Sequence, residues 1–292
     1  MATTEADFHE ILNAETFVDI DKLKSAARYG IPDEVRGDVW KYLLGVDAAD
    51  KSHEVSLHKE KYQEYLHYDK GNTLLEKRVR GETSRYCWRR KKEFDKAGCK
   101  DIEQKIENVV SAYLNVHYQH QSQNLLPEML VSLCGPIACT LAIESEVYFS
   151  LEKVLAQTDE LMSVRDLNQR LANFLMLFRI LMPDLYNHFE EEQVNFREWA
   201  TSWFQYLLSR ELPLECVMRL WDTYFSITDG LSLHVFVCLA MLSHVKDNLE
   251  ELEQSEIHSL LLRLPALDMD KIISHAFRIK YEVLEKSLSE SE

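Results

Sequence analysis

Three groups of side chains in this sequence could do chemistry. The first is basic: between Lys77 and Lys100 stand Arg78, Arg80, Arg85, Arg89, Arg90, Lys91, Lys92 and Lys96. Guanidinium and ammonium groups bind phosphate or carboxylate oxygens. In a chain whose formal net charge is −16, this stretch is the largest local departure in charge. A charge run is ordinarily a solvated helix face, which accounts for most of these residues. The second group is His117 with His120, close enough to share a metal. No Cys or carboxylate stands at ligand spacing beside them, so they do not complete a tetrahedral set. The third is Glu190-Glu191-Glu192, carboxylates that could trade protons, for which a solvated face is again the simpler account.

What is missing narrows the chemistry further. There is no GxxxxGK[ST] loop to cradle a nucleoside triphosphate and no GxGxxG turn to seat a dinucleotide. HExxH and GxSxG are absent as well. The sequence offers no active site complete in itself, and no metal or cofactor of its own is expected.

The elements that position these residues read as helices. Only 8 Gly and 6 Pro occur, too few for a fold built on tight hairpins. A short helix is expected over residues 19–27. Another starts at Pro32, with Val35, Val39, Trp40, Leu43 and Leu44 at helical spacing and Gly45 as its stop. Helices are further expected over residues 52–68, 101–113 (capped by Asp101), 145–157 and 164–182. A short segment over residues 73–80 precedes the basic stretch. Residues 115–124 are polar and read as a loop opening onto the most apolar part of the chain. Trp199, Trp203, Phe204, Tyr206 and Leu207 form an aromatic stripe better read as core than as a cofactor site. Pro213 starts a helix holding Val217, Leu220, Trp221 and Tyr224. Residues 233–245 form a central apolar helix, and 271–284 an amphipathic one capped by Asp270. No alternation supports a strand. The fold class expected is all-α: a single domain of many short helices over 28–285, after a segment 1–27 with a short helix and before a polar tail 286–292.

Composition agrees. Apolar residues are 46 % and charged residues 28 % of 292, ordinary for a folded chain. A chain of this length buries roughly three-quarters of its unfolded surface. Acidic residues outnumber basic ones 49 to 33, which argues against a nucleic-acid partner. The six Cys form no CxxC pair and read as buried thiols in a reducing compartment. The N-terminus lacks an apolar signal segment. The best membrane candidate, 125–143, is broken by Pro127, Glu128 and Pro136, so no membrane anchor and a cytoplasmic location are expected.

Two blocks carry a resemblance. Gly30-Ile31-Pro32-Asp33-Glu34-Val35-Arg36-Gly37-Asp38-Val39-Trp40-Lys41-Tyr42-Leu43-Leu44-Gly45 resembles GIPxxxRxxVWxxLLG, the opening motif of TBC domains. Trp203-Phe204 through Arg210-Glu211-Leu212-Pro213-Leu214 to Arg219-Leu220-Trp221-Asp222 is similar to a second TBC signature. The resemblance covers about residues 28–285. It implies an all-helical activator of Rab-family GTPases that works on the GTPase's own site rather than on a substrate site of its own. GTP and Mg²⁺ would be carried by the partner, and an arginine and a glutamine supplied in trans.

The family's I/V-xx-D-xx-R matches Val79 to Arg85, with Glu82 in place of Asp and Arg85 as the arginine. Arg78 and Arg80 are alternatives in a shifted register. The family's YxQGMN falls on Gln119-His120-Gln121-Ser122-Gln123-Asn124, at about the family's separation from Arg85. Gln121 and Asn124 are retained, while Gln119 replaces Tyr and Ser122 replaces Gly. Arg36 and Trp40 read as helix packing near the active face, and Trp221 and Asp222 as core and cap, Asp222 pairing with Arg219 or Arg210. The resemblance also implies a role in vesicle trafficking, membrane residence borrowed from a lipid-anchored GTPase, and room for other protein subunits. The altered glutamine motif keeps an alternative open: a TBC-fold binding module or scaffold that holds a GTPase without accelerating hydrolysis.

Overall fold

The computed structural model describes residues 3–71, 75–117, 126–162 and 164–289. Among the described residues there are sixteen α-helices, and the only extended pairing is one isolated bridge between Phe17 and Asp50. The helices sort into two compact units: Met1–Gln157 with Trp221–Ile227, and Thr158–Leu220 with Thr228–Glu292.

The first unit holds α1 (Glu5–Leu12), α2 (Ile20–Ala27), α3 (Asp33–Leu43), α4 (Glu54–His67), α5 (Glu76–Arg89), α6 (Lys91–Lys96), α7 (Ile102–His117), α8 (Pro127–Thr140) and most of α9 (Glu144–Met162). The Asp19 carboxylate caps α2, accepting from the Lys22 amide at 2.9 Å. Pro32 stands at the cap position of α3, one residue before its first turn. Helices α5, α7 and α8 pack on one another.

Two expectations change here. The segment expected to stop near Arg80 is one helix through Arg89. Gly81 costs about 1 kcal/mol inside a helix. Val79, Thr83, Tyr86 and Cys87 keep one face buried past it, and each large buried side chain contributes ~1.5–3 kcal/mol, so burial wins. Likewise α7 runs to His117, into the stretch expected as loop. Tyr113 stays buried there, and its ring lies 4.2 Å from that of His117.

Close helix crossings explain two glycines. A Cβ on Gly135 would lie 2.1 Å from the Tyr86 hydroxyl, so α5 reaches α8 only because Gly135 has none. A Cβ on Gly37 would meet the Thr140 carbonyl oxygen at 2.9 Å. The cysteines correct a third expectation. Cys99 and Cys139 are joined in a disulfide, while Cys87, Cys134, Cys216 and Cys238 are buried thiols. The pair is 40 residues apart and carries no spacing motif; packing of the α6–α7 turn against the end of α8 brings it together.

The second unit holds α10 (Val164–Leu181), α11 (Pro183–Glu191), α12 (Phe196–Gln205), most of α13 (Leu214–Ser226), α14 (His234–Leu249), α15 (Gln254–Leu262) and α16 (Met269–Ser289). The aromatic stripe is core: Trp199 lies edge-on to Phe174 at 5.8 Å and to Trp203 at 4.9 Å. Helix α14 is buried along most of its length and packs on α16. Asp268, rather than Asp270, caps α16, accepting from the Lys271 amide at 3.2 Å. Asp270 already lies in the first turn and instead takes Arg219 at 2.6 Å.

Candidate functional site

Helix α5 presents the basic residues in two classes. Its buried face is set by Val79, Thr83, Tyr86 and Cys87 against α7 and α8. The arginines lie around the opposite side, and their partners differ. Arg78 reaches Glu128 on α8 at 2.8 Å. Arg80 reaches Glu107 on α7 at 3.0 Å as well as Glu76 on its own helix. Both are thereby tied to neighbouring helices. Arg90, just beyond α5, is buried, pairs with Glu93 at 2.9 Å and stacks over the Tyr86 ring at 5.3 Å. Arg85 is different: its side chain is 64 % exposed and its carboxylate partner is Glu82, three residues earlier on the same helix. Its guanidinium lies back along the helix over Gly81. This i,i+3 pair within one helix orients the guanidinium while leaving it open to solvent.

The two sequence blocks meet in the first unit at a buried node. Asp222 is wholly buried. It accepts from the Arg36 Nε at 3.1 Å, the Trp40 Nε1 at 2.8 Å and the Ile31 amide at 3.0 Å. Burial pushes its carboxyl up to about 6, against the opposing pull of Arg36 and the other donors. Trp40 packs on Trp221 at 6.1 Å and on Phe225 at 5.1 Å. Arg36 and Trp40 are buried in this node, so their contribution is packing rather than contact with a partner. Asp222 is neither a cap nor the partner of Arg219 or Arg210: its arginine lies 186 residues earlier in the chain, out of reach of any local reading. Arg210 stacks instead over Tyr206 at 5.2 Å.

Gln119, Gln121, Ser122 and Asn124 lie outside the described residues, as does His120. His117 approaches Glu152 at 3.3 Å. Among the described residues no group of three His, Cys, Asp or Glu could hold a metal. Glu190 and Glu191 are exposed, and Glu192 accepts from the Gln254 amide at 3.1 Å, which fits a surface run with a local bonding role. Among the described residues no helix is long and apolar enough to cross a membrane.

Sequence reading passed over Trp88, and took Glu128 only as a break in an apolar run, not as the partner of Arg78. Trp88 lies within the basic stretch and projects from α5 into solvent. Its signal was available: an indole among charges, off the apolar spacing of Val79, Thr83 and Tyr86.

The model of the Rab-GTPase-TBC domain family matches residues 33–250. The chain is 24 % identical over 303 residues to TBC1 domain family member 22A of Homo sapiens, a match covering 90 % of this chain and 57 % of that protein. It is 26 % identical over 309 residues to GTPase-activating protein gyp1 of Schizosaccharomyces pombe, covering 92 % and 59 %. The chain thus spans about three fifths of the length of these curated relatives. The crystal structure of the Ypt/Rab-GAP domain of Gyp1p matches with a TM-score of 0.76 at 23 % identity, over 93 % of this chain and 96 % of that one. At that identity the likeness speaks for the fold.

Proposed function

The chain belongs to the Rab-GTPase-TBC domain family, and from that premise we propose that it is a GTPase-activating protein for a Rab-family GTPase, with Arg85 supplied in trans. One observation carries the assignment of the arginine: Arg78 and Arg80 are tied to carboxylates on other helices, whereas Arg85 is exposed and tied only within α5.

The GTPase brings GTP and Mg²⁺. As its terminal phosphoryl group is transferred to water, negative charge spreads over the phosphoryl oxygens. A guanidinium meets that charge with a planar fork of N–H donors and stays protonated throughout. To do so Arg85 exchanges its contact with Glu82 for phosphate oxygens. The exchange is open to it because the guanidinium is exposed and its present partner lies on the same helix. An arginine supplied this way is worth on the order of 10³–10⁵ in rate. Gln121 is assigned the companion role: its amide oxygen accepts from the attacking water while its NH₂ donates to phosphate. The retained Gln121 and Asn124 and the spacing from Arg85 support this role. Ser122 and Gln119, where the family has Gly and Tyr, favour a second reading, a domain that binds the GTPase without hastening hydrolysis. The domain acts in the cytoplasm, in vesicle trafficking, recruited to membranes by its lipid-anchored partner.

The test is single-turnover GTP hydrolysis by a panel of Rab GTPases, with and without the domain, wild type beside Arg85→Ala. Acceleration by wild type that Arg85→Ala abolishes is the expected result. Binding without acceleration across the panel establishes the second reading instead.

A further inference from the structure

The chain has five tryptophans. Trp40, Trp199, Trp203 and Trp221 are fully buried, whereas Trp88 is 79 % exposed. It stands three residues after Arg85 on α5, so the two side chains are surface neighbours. Beside it opens a cleft of about 630 Å³. Phe94 and Ile102, both buried, give it an apolar floor; Ser84, Arg85, Trp88 and Lys91 line one part of it, and Asp95 and Glu103 bring two carboxylates to its lining. An indole left in water over an apolar floor marks a surface that binds something.

The charge around it narrows the occupant. Arg85, Arg89, Lys91 and Lys92 crowd this end of α5 and the start of α6 and are exposed. Among the described residues Lys91 and Lys92 have no carboxylate within ion-pair distance. Asp95 and Glu103 offset part of this charge, and the four cations that remain around Trp88 complement a partner surface that is acidic. The GTPase of the proposed function carries the negative charge of its nucleotide's phosphates. Tryptophan and arginine are the side chains most enriched among residues that dominate binding energy, because a large rigid group filling a dry pocket contributes most per side chain.

We propose that Trp88 is the apolar anchor of the domain on its GTPase: the indole covers an apolar side chain of the partner, flanked by carboxylates that meet Lys91 and Lys92. The proposal rests on the GTPase-activating reading. It assigns Trp88 to binding and leaves the chemistry to Arg85. Trp88 is thus a determinant of which GTPase is held.

The experiment uses the full chain and the Rab GTPase that the panel shows to respond best. Affinity is measured with that GTPase loaded with a non-hydrolysable GTP analogue, and kcat and KM with GTP. Trp88→Ala should weaken binding and raise KM roughly 30-fold or more, with a much smaller change in kcat. Trp88→Phe should recover most of the loss, and the urea midpoint should stay at the wild-type value because the side chain is exposed. Arg85→Ala should do the reverse, losing kcat while affinity changes little. Lys91→Glu with Lys92→Glu should weaken binding further at low salt than at high salt. Unchanged affinity in Trp88→Ala, alongside loss of rate in Arg85→Ala, overturns the anchor and leaves the activator reading standing. Binding without acceleration leaves the affinity arm to decide the anchor by itself. No binding and no acceleration by wild type overturns both readings.

Discussion

Arg36 and Arg85 start from the same local arrangement. Each follows an acid by three residues on a helix, Asp33 or Glu82, and each is paired with it. The difference is tertiary. The Arg36 side chain is 10 % exposed and also meets the buried Asp222, whereas Arg85 is 64 % exposed and its carboxylate lies on its own helix. The same pair of residue types is a fixed joint in one place and an available cation in the other. Local spacing forms the pair, and burial decides what the pair is for. A guanidinium committed to Asp222 would leave that carboxylate stranded if it moved. One that is itself exposed and paired with Glu82 on its own helix can turn to a new partner without stranding a wholly buried carboxylate.

The comparison can be broken in several places. The largest effect is expected at Arg85→Lys, which keeps the charge and removes the planar fork; the stimulated rate of GTP hydrolysis should fall by about 10³ or more. Asp222→Ala should come next. It removes the buried partner of Arg36, leaving it Asp33, and leaves the Trp40 N–H and the Ile31 amide unpaired, so urea unfolding should register a loss of about 3 kcal/mol. Gly135→Ala sharpens the comparison from the side of α5. The added methyl would collide with Tyr86, so unfolding should show a loss of roughly 1–3 kcal/mol. The stimulated rate should drop too, because the helix that presents Arg85 must shift. The smallest effect is expected at Arg80→Ala. Its guanidinium is exposed, so the urea midpoint should stay near the wild-type value. The hydrolysis rate should stay at the wild-type value, which would set aside the shifted register.

Much of the helical framework was legible because apolar spacing reports a buried face directly. The aromatic stripe through Trp199 and Trp203 and the apolar α14 lie in the core as read. The errors arise where a non-local contact outvotes a local signal. The segment expected over 73–80 continues because Thr83, Tyr86 and Cys87 carry the buried face of α5 past Gly81. Asp270 looked like a cap, but the helix begins one residue earlier and Asp268 does the capping. Asp222 had two arginines nearby in sequence and took Arg36 instead, because the chain returns Trp221–Ile227 to the first unit. No spacing could reveal the Cys99–Cys139 pair, since it depends on how a turn packs on α8. At the candidate site, Arg85 could be singled out among its basic neighbours only through the motif frame. Its distinction from Arg78 and Arg80 lies in Glu128 and Glu107, carboxylates on other helices that no one-dimensional pattern assigns.

The most direct measurement sets Arg36→Ala beside Arg85→Lys and reads two quantities for each: the urea midpoint, and the single-turnover rate of GTP hydrolysis by a responsive Rab at saturating domain. The account predicts a crossing. Arg36→Ala should lose stability while its folded fraction still accelerates hydrolysis, and Arg85→Lys should keep the wild-type midpoint while the rate falls towards that of the GTPase alone. Full acceleration by Arg85→Lys, or a loss of stability in it equal to that of Arg36→Ala, would contradict the division of labour between the two arginines.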